Sequence, residues 1–260
     1  MDNHSASIQR QFGSTAQAYV HSPIHRQGRD LDILLGWCEG GPQKSALDVA
    51  TGGGHTALRL ASVYGHVTAT DLTQQMLDSA EAWTRECGVT NVHFRRADAE
   101  HLPFAAESFD AVSCRIAPHH FRRPDIFVAE VSRVLKPNGI LLLEDTVAPD
   151  DGEVAKLFNH VEWLRDPTHV RNLTRGEWKS LIEGAGLVIE EEDTDRKEHD
   201  IEEWLRRSET PAERRETVRR ALVEASEAAR AQLRIDLDAQ GRPLSFTDDK
   251  LLVKARRAAS

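Results

Sequence analysis

The stretch LDVATGGG, residues 47–54, decides the fold of this 260-residue chain. An apolar strand that ends in small residues and then opens a helix lets the backbone approach a ligand closely. Free N–H groups at the start of that helix favour a negatively charged group on the ligand. The stretch therefore predicts a nucleotide-type site at the carboxyl edge of a parallel sheet, where such sheets bind their ligands.

Short apolar runs alternate with helical patterns on both sides of this turn, which is typical of parallel βαβ units. The predicted strands are SALDVA (45–50), HVTAT (66–70), VHFRR (92–96), FDAVSCR (109–115), ILLL (140–143), LVIE (187–190) and LLVKA (251–255). Helices are predicted between them, the first from residue 56 to a stop at Gly65. The fold class is therefore α/β.

Two segments of the second half have the Ser/Thr-x-x-Glu form that begins a helix. Thr174–Glu177 predicts a helix to about Glu183, and residues 210–213 predict a long helix to about Leu233. Residues 193–248 are interpreted as a helical insertion before the last strand. The intervening loop 166–172 is interpreted as either a connector or a substrate-facing loop, and the insertion, which includes Trp204, either roofs the acceptor pocket or covers the sheet.

The charge balance narrows the classes of partner. The chain has 33 Lys and Arg against 42 Asp and Glu, a net charge of −9, but residues 190–203 alone carry nine acids and two bases. The remainder is close to neutral, so the case against a nucleic-acid partner rests mainly on the absence of an Asn/Asp-Pro-Pro-Tyr motif and of a basic stripe. A small-molecule partner is expected, and the sequence leaves the oligomeric state open.

Location is predicted from what the sequence lacks. No run of 18 apolar residues occurs, and the start MDNHSASIQRQF does not have the basic-then-apolar order of a signal peptide. The three cysteines form no C-x-x-C pair, which suits a reducing compartment. A cytoplasmic protein without a transmembrane segment is expected.

Two acids follow the second and third strands. Asp71 is placed where a carboxylate can accept hydrogen bonds from a ribose diol, and Asp98 ends the next strand. Residues 52–57 formally match the dinucleotide fingerprint G-x-G-x-x-G/A, so an NAD(P)-dependent oxidoreductase is one alternative. Asp48 within the first strand, the extra acid Asp98 and the absence of Tyr-x-x-x-Lys favour another nucleotide-type cofactor.

Four ordered segments carry a resemblance to a known family. They are LDVATGGGHTALRLA (47–61), VTATDLTQQMLDSA (67–80), RRADAEHLPFAAESFDAV (95–112) and RVLKPNGILLLED (133–145). In order and spacing they resemble the motifs of class I S-adenosylmethionine-dependent methyltransferases, most of all the branch that includes the ubiquinone and menaquinone biosynthesis C-methyltransferases. Near the N-terminus QRQFGSTAQAYVHS resembles the helix that covers the cofactor in that branch. Ala50 departs from the family pattern, which has glycine there.

The resemblance implies a Rossmann-like class I methyltransferase fold, with a seven-stranded mostly parallel sheet and helices on both faces. One domain is expected over residues 1–260, with lid helices in 1–44, a cofactor-binding core in 45–146 and an acceptor-side region in 147–260. The implied cofactor is S-adenosyl-L-methionine, with S-adenosyl-L-homocysteine as product. The implied reaction moves a methyl group to an oxygen, carbon or nitrogen of a small molecule. A non-catalytic cofactor-binding protein on the same fold is the other alternative.

Carried over by position, the resemblance implies a set of cofactor-binding residues: Tyr19, Asp48, Ala50, Gly52, Gly54, Asp71, Leu72, Met76, Asp98, Ala99 and Arg115. Asp48 would serve the methionine end, Asp71 the ribose hydroxyls and Asp98 the adenine amino group, while Tyr19 and Arg115 would close the pocket. The structural alternatives are helix capping or turn formation for the two later acids and simple N-terminal packing for Tyr19.

Candidate catalytic residues lie past the fourth and fifth strands. A base that removes a proton from the acceptor would assist methyl transfer, and His119, His120 and Asp145 occupy that edge. Histidine titrates near neutrality and suits this role. No metal site is expected, because His21 and His25 flank Pro23 and no other metal-ligand cluster accompanies them.

Overall fold

The computed structural model describes residues 3–20 and 28–259, with side chains described for residues 4–13 and 28–259. Tyr19, whose side chain is not described, and residues 21–25 therefore lie outside the part on which site geometry can be examined. The strands are β1 Gly41–Val49, β2 Tyr64–Asp71, β3 Val92–Arg96, β4 Phe109–Arg115, β5 Leu135–Val147, β6 Leu187–Asp200, β7 Asp236–Leu237 and β8 Pro243–Arg257.

Helices connect these strands. They are α1 Asn3–Val20, α2 Arg29–Gly36, α3 His55–Leu60, α4 Gln74–Glu86, α5 Pro124–Val134, α6 Gly152–Arg165, α7 Arg175–Gly184, α8 Ile201–Arg207, α9 Ala212–Val223 and α10 Glu227–Gln232, with one 3-10 turn at Pro118–His120. None of the helices in the described ranges combines the length and hydropathy needed to cross a bilayer.

The main path of the sheet has seven strands in the order β3-β2-β1-β4-β5-β8-β6, and the short β7 pairs with β8 beside that path. Strands β1 to β5 pair in parallel, whereas β8 runs antiparallel to both β5 and β6. This confirms the expected mostly parallel α/β sheet. Since β1 lies between β2 and β4, the carboxyl ends of the three strands meet at one edge.

The core explains why the apolar runs became central strands. Leu141 and Leu143 on β5 are buried, and Phe127, Val131 and Val134 on α5 are fully buried in the same cluster. The three α5 residues recur at spacings of three and four, so they form one helix face. Burying each such side chain stabilises the fold by about 1.5–3 kcal/mol. The capping box predicted at Thr174 and Glu177 is present at the start of α7.

Gly65 does not end a helix, contrary to the prediction. Helix α3 ends at Leu60, and Gly65 lies within β2. A Cβ built on Gly65 would lie 1.9 Å from the carbonyl oxygen of Pro42. The glycine is therefore needed where β1 and β2 approach each other, a tertiary contact that local sequence pattern does not reveal.

We expect Gly65→Ala to destabilise the protein by about 1–3 kcal/mol, because the added methyl group forces apart two backbone segments that cannot rotate away. That corresponds to a fall in Tm of about 2–12 °C for a chain of this size. Gly184→Ala is the matched control, since a Cβ at this last residue of α7 would meet no atom within 4 Å. Scanning calorimetry that finds equal Tm values for the two variants would contradict this account of Gly65.

The C-terminal third differs from the sequence prediction in two ways. Strands β6 and β8 are longer than expected and pair from Leu187↔Arg257 to Asp200↔Ser245, so the interval between them is residues 201–242 and not 193–248. The predicted long helix is divided into α9 and α10. Thr210 does not cap α9, because its hydroxyl donates to the carbonyl of Arg165 at 3.1 Å, and Pro211 occupies the N-cap position.

Candidate active site

A cavity of about 540 Å³ opens at the carboxyl edge of the sheet. We call its two ends the glycine-turn end, around Gly52 and Asp71, and the histidine end, around His119 and His169. Helix α1 covers both: the Gln9 side chain donates to the carbonyl of Leu72 at 3.2 Å, and the His4 ring lies 3.0 Å from the carbonyl oxygen of His120. One continuous space of this size can hold a cofactor and a small second ligand.

Asp48 stabilises the glycine turn through buried hydrogen bonds. Its carboxylate accepts hydrogen bonds from the hydroxyls of Thr51 and Ser113, both at 2.6 Å. Burial raises the pKa of Asp48 to about 6, although these donors favour the charged form. The side chain is 1% exposed and is not among the described residues that line the cavity. Asp48 is therefore placed to hold the turn in shape, and the described geometry gives it no direct access to a ligand in the cavity.

The turn itself needs backbone conformations that most residues avoid. Ala50, Gly52 and Gly54 have φ values of 54°, 53° and 80°. Gly52 lines the cavity, and a Cβ there would project into open space. A Cβ on Gly54 would instead lie 3.0 Å from that of Ala80. Ala50, which also lines the cavity, adopts the left-handed region at a cost of about 1 kcal/mol, so the departure from glycine is accommodated.

Asp71 is fixed at the cavity wall by the backbone. Its two carboxylate oxygens accept from the amide of Gly52 at 3.1 Å and from that of Thr73 at 2.9 Å. Burial raises the pKa of Asp71 above its ordinary value, and these amide donors oppose that rise. Each oxygen keeps a second lone pair, so the group can still accept from a pair of vicinal hydroxyls. The turn-forming and ligand-binding interpretations of Asp71 are therefore compatible.

Apolar and acidic residues complete the glycine-turn end. Leu72, Met76 and Ala99 line the cavity, and Met76 is 2% exposed, so it belongs to both the core and the wall. Asp98 also lines the cavity, and one of its oxygens accepts from the amide of Glu100 at 2.9 Å. This combination of apolar side chains with a carboxylate is of the kind that suits an adenine ring and its amino group.

Arg115 does not close the pocket in the way the sequence suggested. Its guanidinium pairs with Asp30 and lies 2.9 Å from a carboxylate oxygen of Glu144. It is not among the described residues lining the cavity. The buried carboxylates of Asp30 and Glu144 hold the guanidinium away from the cavity. These charges stay paired because an unpaired buried arginine or carboxylate would destabilise the fold. Its role as a direct cofactor contact is thus without support in the described geometry.

The histidine end contains a buried His–Asp pair. The Nδ1 atom of His119 lies 2.6 Å from a carboxylate oxygen of Asp145. Burial alone would lower the pKa of His119, but the negative charge of Asp145 outweighs it and leaves that pKa above its ordinary value. Asp145 is 1% exposed and stands behind the ring, not on the cavity wall. Asp145 is therefore placed to orient His119.

The two neighbouring histidines are held in other ways. His120 Nδ1 lies 3.0 Å from the carbonyl oxygen of Thr168, and His169 Nε2 lies 3.0 Å from the side-chain oxygen of Asn159. Burial and the nearby His119 lower the pKa of His120 to about 4 and that of His169 to about 2. The surroundings therefore favour the neutral form of both rings. Of the three, His119 is the ring whose basicity the surroundings raise.

Two parts of the cavity wall could not be assigned from the sequence. The loop 166–172 faces the cavity through Asp166, His169 and Asn172, as the substrate-facing interpretation predicted. Trp204 also lines the cavity, and it packs in one apolar cluster with Val218, Leu222 and Leu233 of the interval 201–242. Lys197 and Lys250 were missed. No alternation marked them, because residues 190–200 and 247–250 are polar at every position.

Comparison with known proteins gives a consistent family. A family profile described as "Methyltransferase domain" matches residues 47–143. The uncharacterized methyltransferase YcgJ of Bacillus subtilis is 34% identical over 243 residues, which are 94% of this chain and 96% of that protein. The C-methyltransferase UbiE of Saccharophagus degradans is 29% identical over 149 residues, 56% of this chain and 59% of its own.

Solved structures extend the similarity to the whole fold. The crystal structure of YcgJ superposes with a TM-score of 0.86, covering 89% of this chain and 99% of that one. A protein from Bacillus halodurans C-125, described as a candidate methyltransferase, gives the same TM-score at 35% identity, covering 89% of this chain and all of that one. Both similarities extend well beyond the glycine turn into the region that carries the histidine end.

Proposed function

The chain belongs to the S-adenosylmethionine-dependent methyltransferases, and from that premise we propose that it methylates a small-molecule acceptor with His119 as the base. The observation that carries this proposal is the His119–Asp145 pair, 2.6 Å apart, at the wall of the cavity whose other end presents Asp71. The nicotinamide-dependent alternative has no comparable support from the relatives.

The glycine-turn end fits the cofactor. The carboxylate of Asp71, held by two amides, would accept from the ribose hydroxyls, and the slot between Met76 and Asp98 would hold the adenine. The open space above Gly52 leaves room for the amino-acid portion. When bound, S-adenosylmethionine supplies a methyl group on a positively charged sulfur, which an acceptor atom attacks in line. The protein then needs chiefly to align the acceptor and exclude water.

His119 would act on the acceptor. With its Nδ1–H donated to Asp145, the ring keeps the lone pair of Nε2 for the proton of an acceptor hydroxyl, amine or activated carbon. Because Asp145 raises the pKa of His119, that nitrogen is a stronger base than in a free imidazole. Asp145 would be a positioning residue and His120 a wall residue, because the Nδ1 of His120 already faces a carbonyl.

Mass spectrometry tests the proposed acceptor class. The protein is incubated with S-adenosylmethionine carrying a deuterated methyl group and with a whole-cell extract that contains metabolites, proteins and nucleic acids. We expect one metabolite, or a few related ones, to gain the labelled methyl group. Label found only in protein or nucleic acid, with none in the metabolites, would contradict a small-molecule acceptor. Binding of the cofactor without any labelled product would favour the non-catalytic alternative.

The effect of Asp145 on His119 can be measured without an acceptor. In Asp145→Asn the attraction that raises the pKa is removed while burial remains, so the pKa of His119 should fall below that in the native protein. Imidazole nitrogen NMR across a pH titration measures it. Asp150→Asn, at an exposed carboxylate five residues on, is the matched control. An unchanged His119 titration in Asp145→Asn would show that Asp145 does not tune the ring.

A further inference from the structure

The far side of the histidine end is formed by the extended pair of β6 and β8. Lys197 and His199 lie two residues apart on β6, and Asp248 and Lys250 lie two apart on β8, with Lys197 opposite Asp248 in the register. All four line the cavity. Alternate residues of a strand share a face, so these side chains form one polar wall, which we call the β6–β8 wall.

Most charges on the β6–β8 wall are already matched. His199 Nε2 lies 2.9 Å from a carboxylate oxygen of Asp248. The ammonium of Lys250 donates to the hydroxyl of Thr146 at 2.9 Å and lies 4.0 Å from Glu144. Lys197 differs from them: among the described side chains, those of residues 4–13 and 28–259, its ammonium has no hydrogen-bond partner and no carboxylate within 4.0 Å. A half-buried lysine without a carboxylate partner on a cavity wall is suited to a ligand's negative charge.

Burial and the neighbouring charges both act on the Lys197 ammonium. Burial and the positive charges of Lys250 and Arg207 together lower the pKa of Lys197 to about 8, although the negative charges of Asp248 and Glu144 oppose this shift. Among the charges that act most on Lys197, the two cations Lys250 and Arg207 disfavour its charged form, and Asp248 and Glu144 favour it. Like charges held together in a partly desolvated site are relieved when an anion enters. One negative group on the ligand would pair with the Lys197 ammonium.

A second, independent observation comes from the loop 166–172. Asn172 is 1% exposed and lines the cavity, yet neither polar atom of its side-chain amide has a hydrogen-bond partner. An unsatisfied buried amide costs about 1–3 kcal/mol unless a ligand supplies its partner. The cavity is thus prepared in two parts of its wall for a polar ligand beyond the glycine-turn end.

This wall adjoins the proposed base. The charge of Lys250 acts on the pKa of His119, and Glu162 interacts electrostatically with both His119 and His199. An acceptor held at Lys197 would therefore share the cavity with the His119 ring. Trp204, whose face is stacked by Arg165 at 4.8 Å, adds an apolar residue to the wall of this cavity.

We propose that the methyl acceptor carries a negatively charged group, a carboxylate or a phosphate, which binds Lys197 on the β6–β8 wall while the atom to be methylated faces His119. This inference rests on the proposed function, since it assigns the substrate class of the same site. The anionic group anchors the acceptor and stays unchanged in the reaction. It also explains why the chain places lysines at inward positions of two strands, where apolar residues would otherwise be expected.

Anion-exchange fractionation of the metabolite extract tests the proposal. Each fraction is incubated with the deuterated-methyl cofactor and native protein, Lys197→Gln, Lys197→Arg or Arg196→Gln. Arg196 is the matched control, because it loses the same charge from the exposed face, where it pairs with Asp249 at 2.9 Å. Prior treatment of the extract with a phosphatase distinguishes a phosphate from a carboxylate, since only a phosphate-bearing acceptor then loses its retention.

We expect the labelled product only in retained fractions, with KM for the acceptor raised about 10- to 100-fold in Lys197→Gln, largely restored in Lys197→Arg and unchanged in Arg196→Gln. Product in the unretained fraction, or an unaltered KM in Lys197→Gln, would overturn the proposal. Absence of label from every fraction, with S-adenosylhomocysteine still bound in calorimetry, would count against the proposed function itself, and the anionic-acceptor proposal would fall with it.

Discussion

Replacing His119 with asparagine should lower kcat for the labelled acceptor by about 10²–10⁴-fold, the usual contribution of a positioned general base. Asparagine can place an amide N–H where the Nδ1 of His119 lies, 2.6 Å from Asp145, so the buried carboxylate keeps a donor. What is lost is the Nε2 lone pair. The affinity for S-adenosylhomocysteine, measured by calorimetry, should stay close to that of the native protein because the glycine-turn end is untouched.

His120→Asn is the matched comparison for this prediction. It keeps a donor for the carbonyl of Thr168 in the same way and removes the neighbouring ring. Because the pKa of His120 is lowered to about 4, its ring is a weak base at pH 7, and its loss should cost far less rate. If His120→Asn proved as damaging as His119→Asn, or if His119→Asn retained the native kcat, the assignment of the base would be wrong.

Asp71→Asn should weaken binding of S-adenosylhomocysteine about 100-fold, which corresponds to about 2.7 kcal/mol. The carboxylate serves both the protein and the ligand: it accepts from Gly52 and Thr73 and would accept from the ribose hydroxyls. An amide keeps one oxygen, and its NH₂ group faces a backbone donor. Loss of charged hydrogen bonds of about 1.5–3 kcal/mol each accounts for the size of the effect.

Asp78→Asn controls for the loss of charge near that end. Asp78 lies on the exposed side of α4, where it accepts from the side chain of Gln74 at 2.8 Å. Its replacement should leave the dissociation constant unchanged. Calorimetry that gave Asp71→Asn the native affinity, with a normal Tm, would show that the ribose is held elsewhere.

The first five strands were predictable because each satisfies its environment locally. A central parallel strand is buried on both faces, so runs such as residues 140–143 are continuously apolar. Such runs can be recognised directly in the sequence. The acids Asp71 and Asp98 were equally visible, since Asp71 ends β2 and Asp98 lies two residues after the edge strand β3. Here the sequence pattern and the tertiary environment require the same residues.

Strands β6 and β8 were not predictable over their full length. The residues 191–200 are almost all charged or polar, and Asp and Glu are poor strand formers, so the segment was interpreted as a solvated acidic run leading into an insertion. The long antiparallel pairing with β8 supplies the missing stabilisation. Lys197 and Asp248 were hidden for the same reason, because their function depends on the register between two segments about fifty residues apart.

Arg115 illustrates a different limit of prediction from the sequence. Its position at the end of β4 suggested a ligand contact, and position was indeed predictable. Its direction was decided by Asp30 on α2 and Glu144 on β5, two buried acids that require a cation. A long side chain pairs with one of several nearby anions, and the choice depends on all the charges around it in the folded protein. No local sequence pattern encodes that choice.

In the mechanism that we propose, a single cavity holds the cofactor at the glycine turn and presents His119 to the acceptor. A crystal structure of the protein with S-adenosylhomocysteine tests it most directly. We expect the ribose hydroxyls on Asp71, the adenine between Met76 and Asp98, and the sulfur directed to the histidine end, with the space between His119 and Lys197 left for the acceptor. A ligand whose ribose avoids Asp71, or whose sulfur points away from His119, would contradict it.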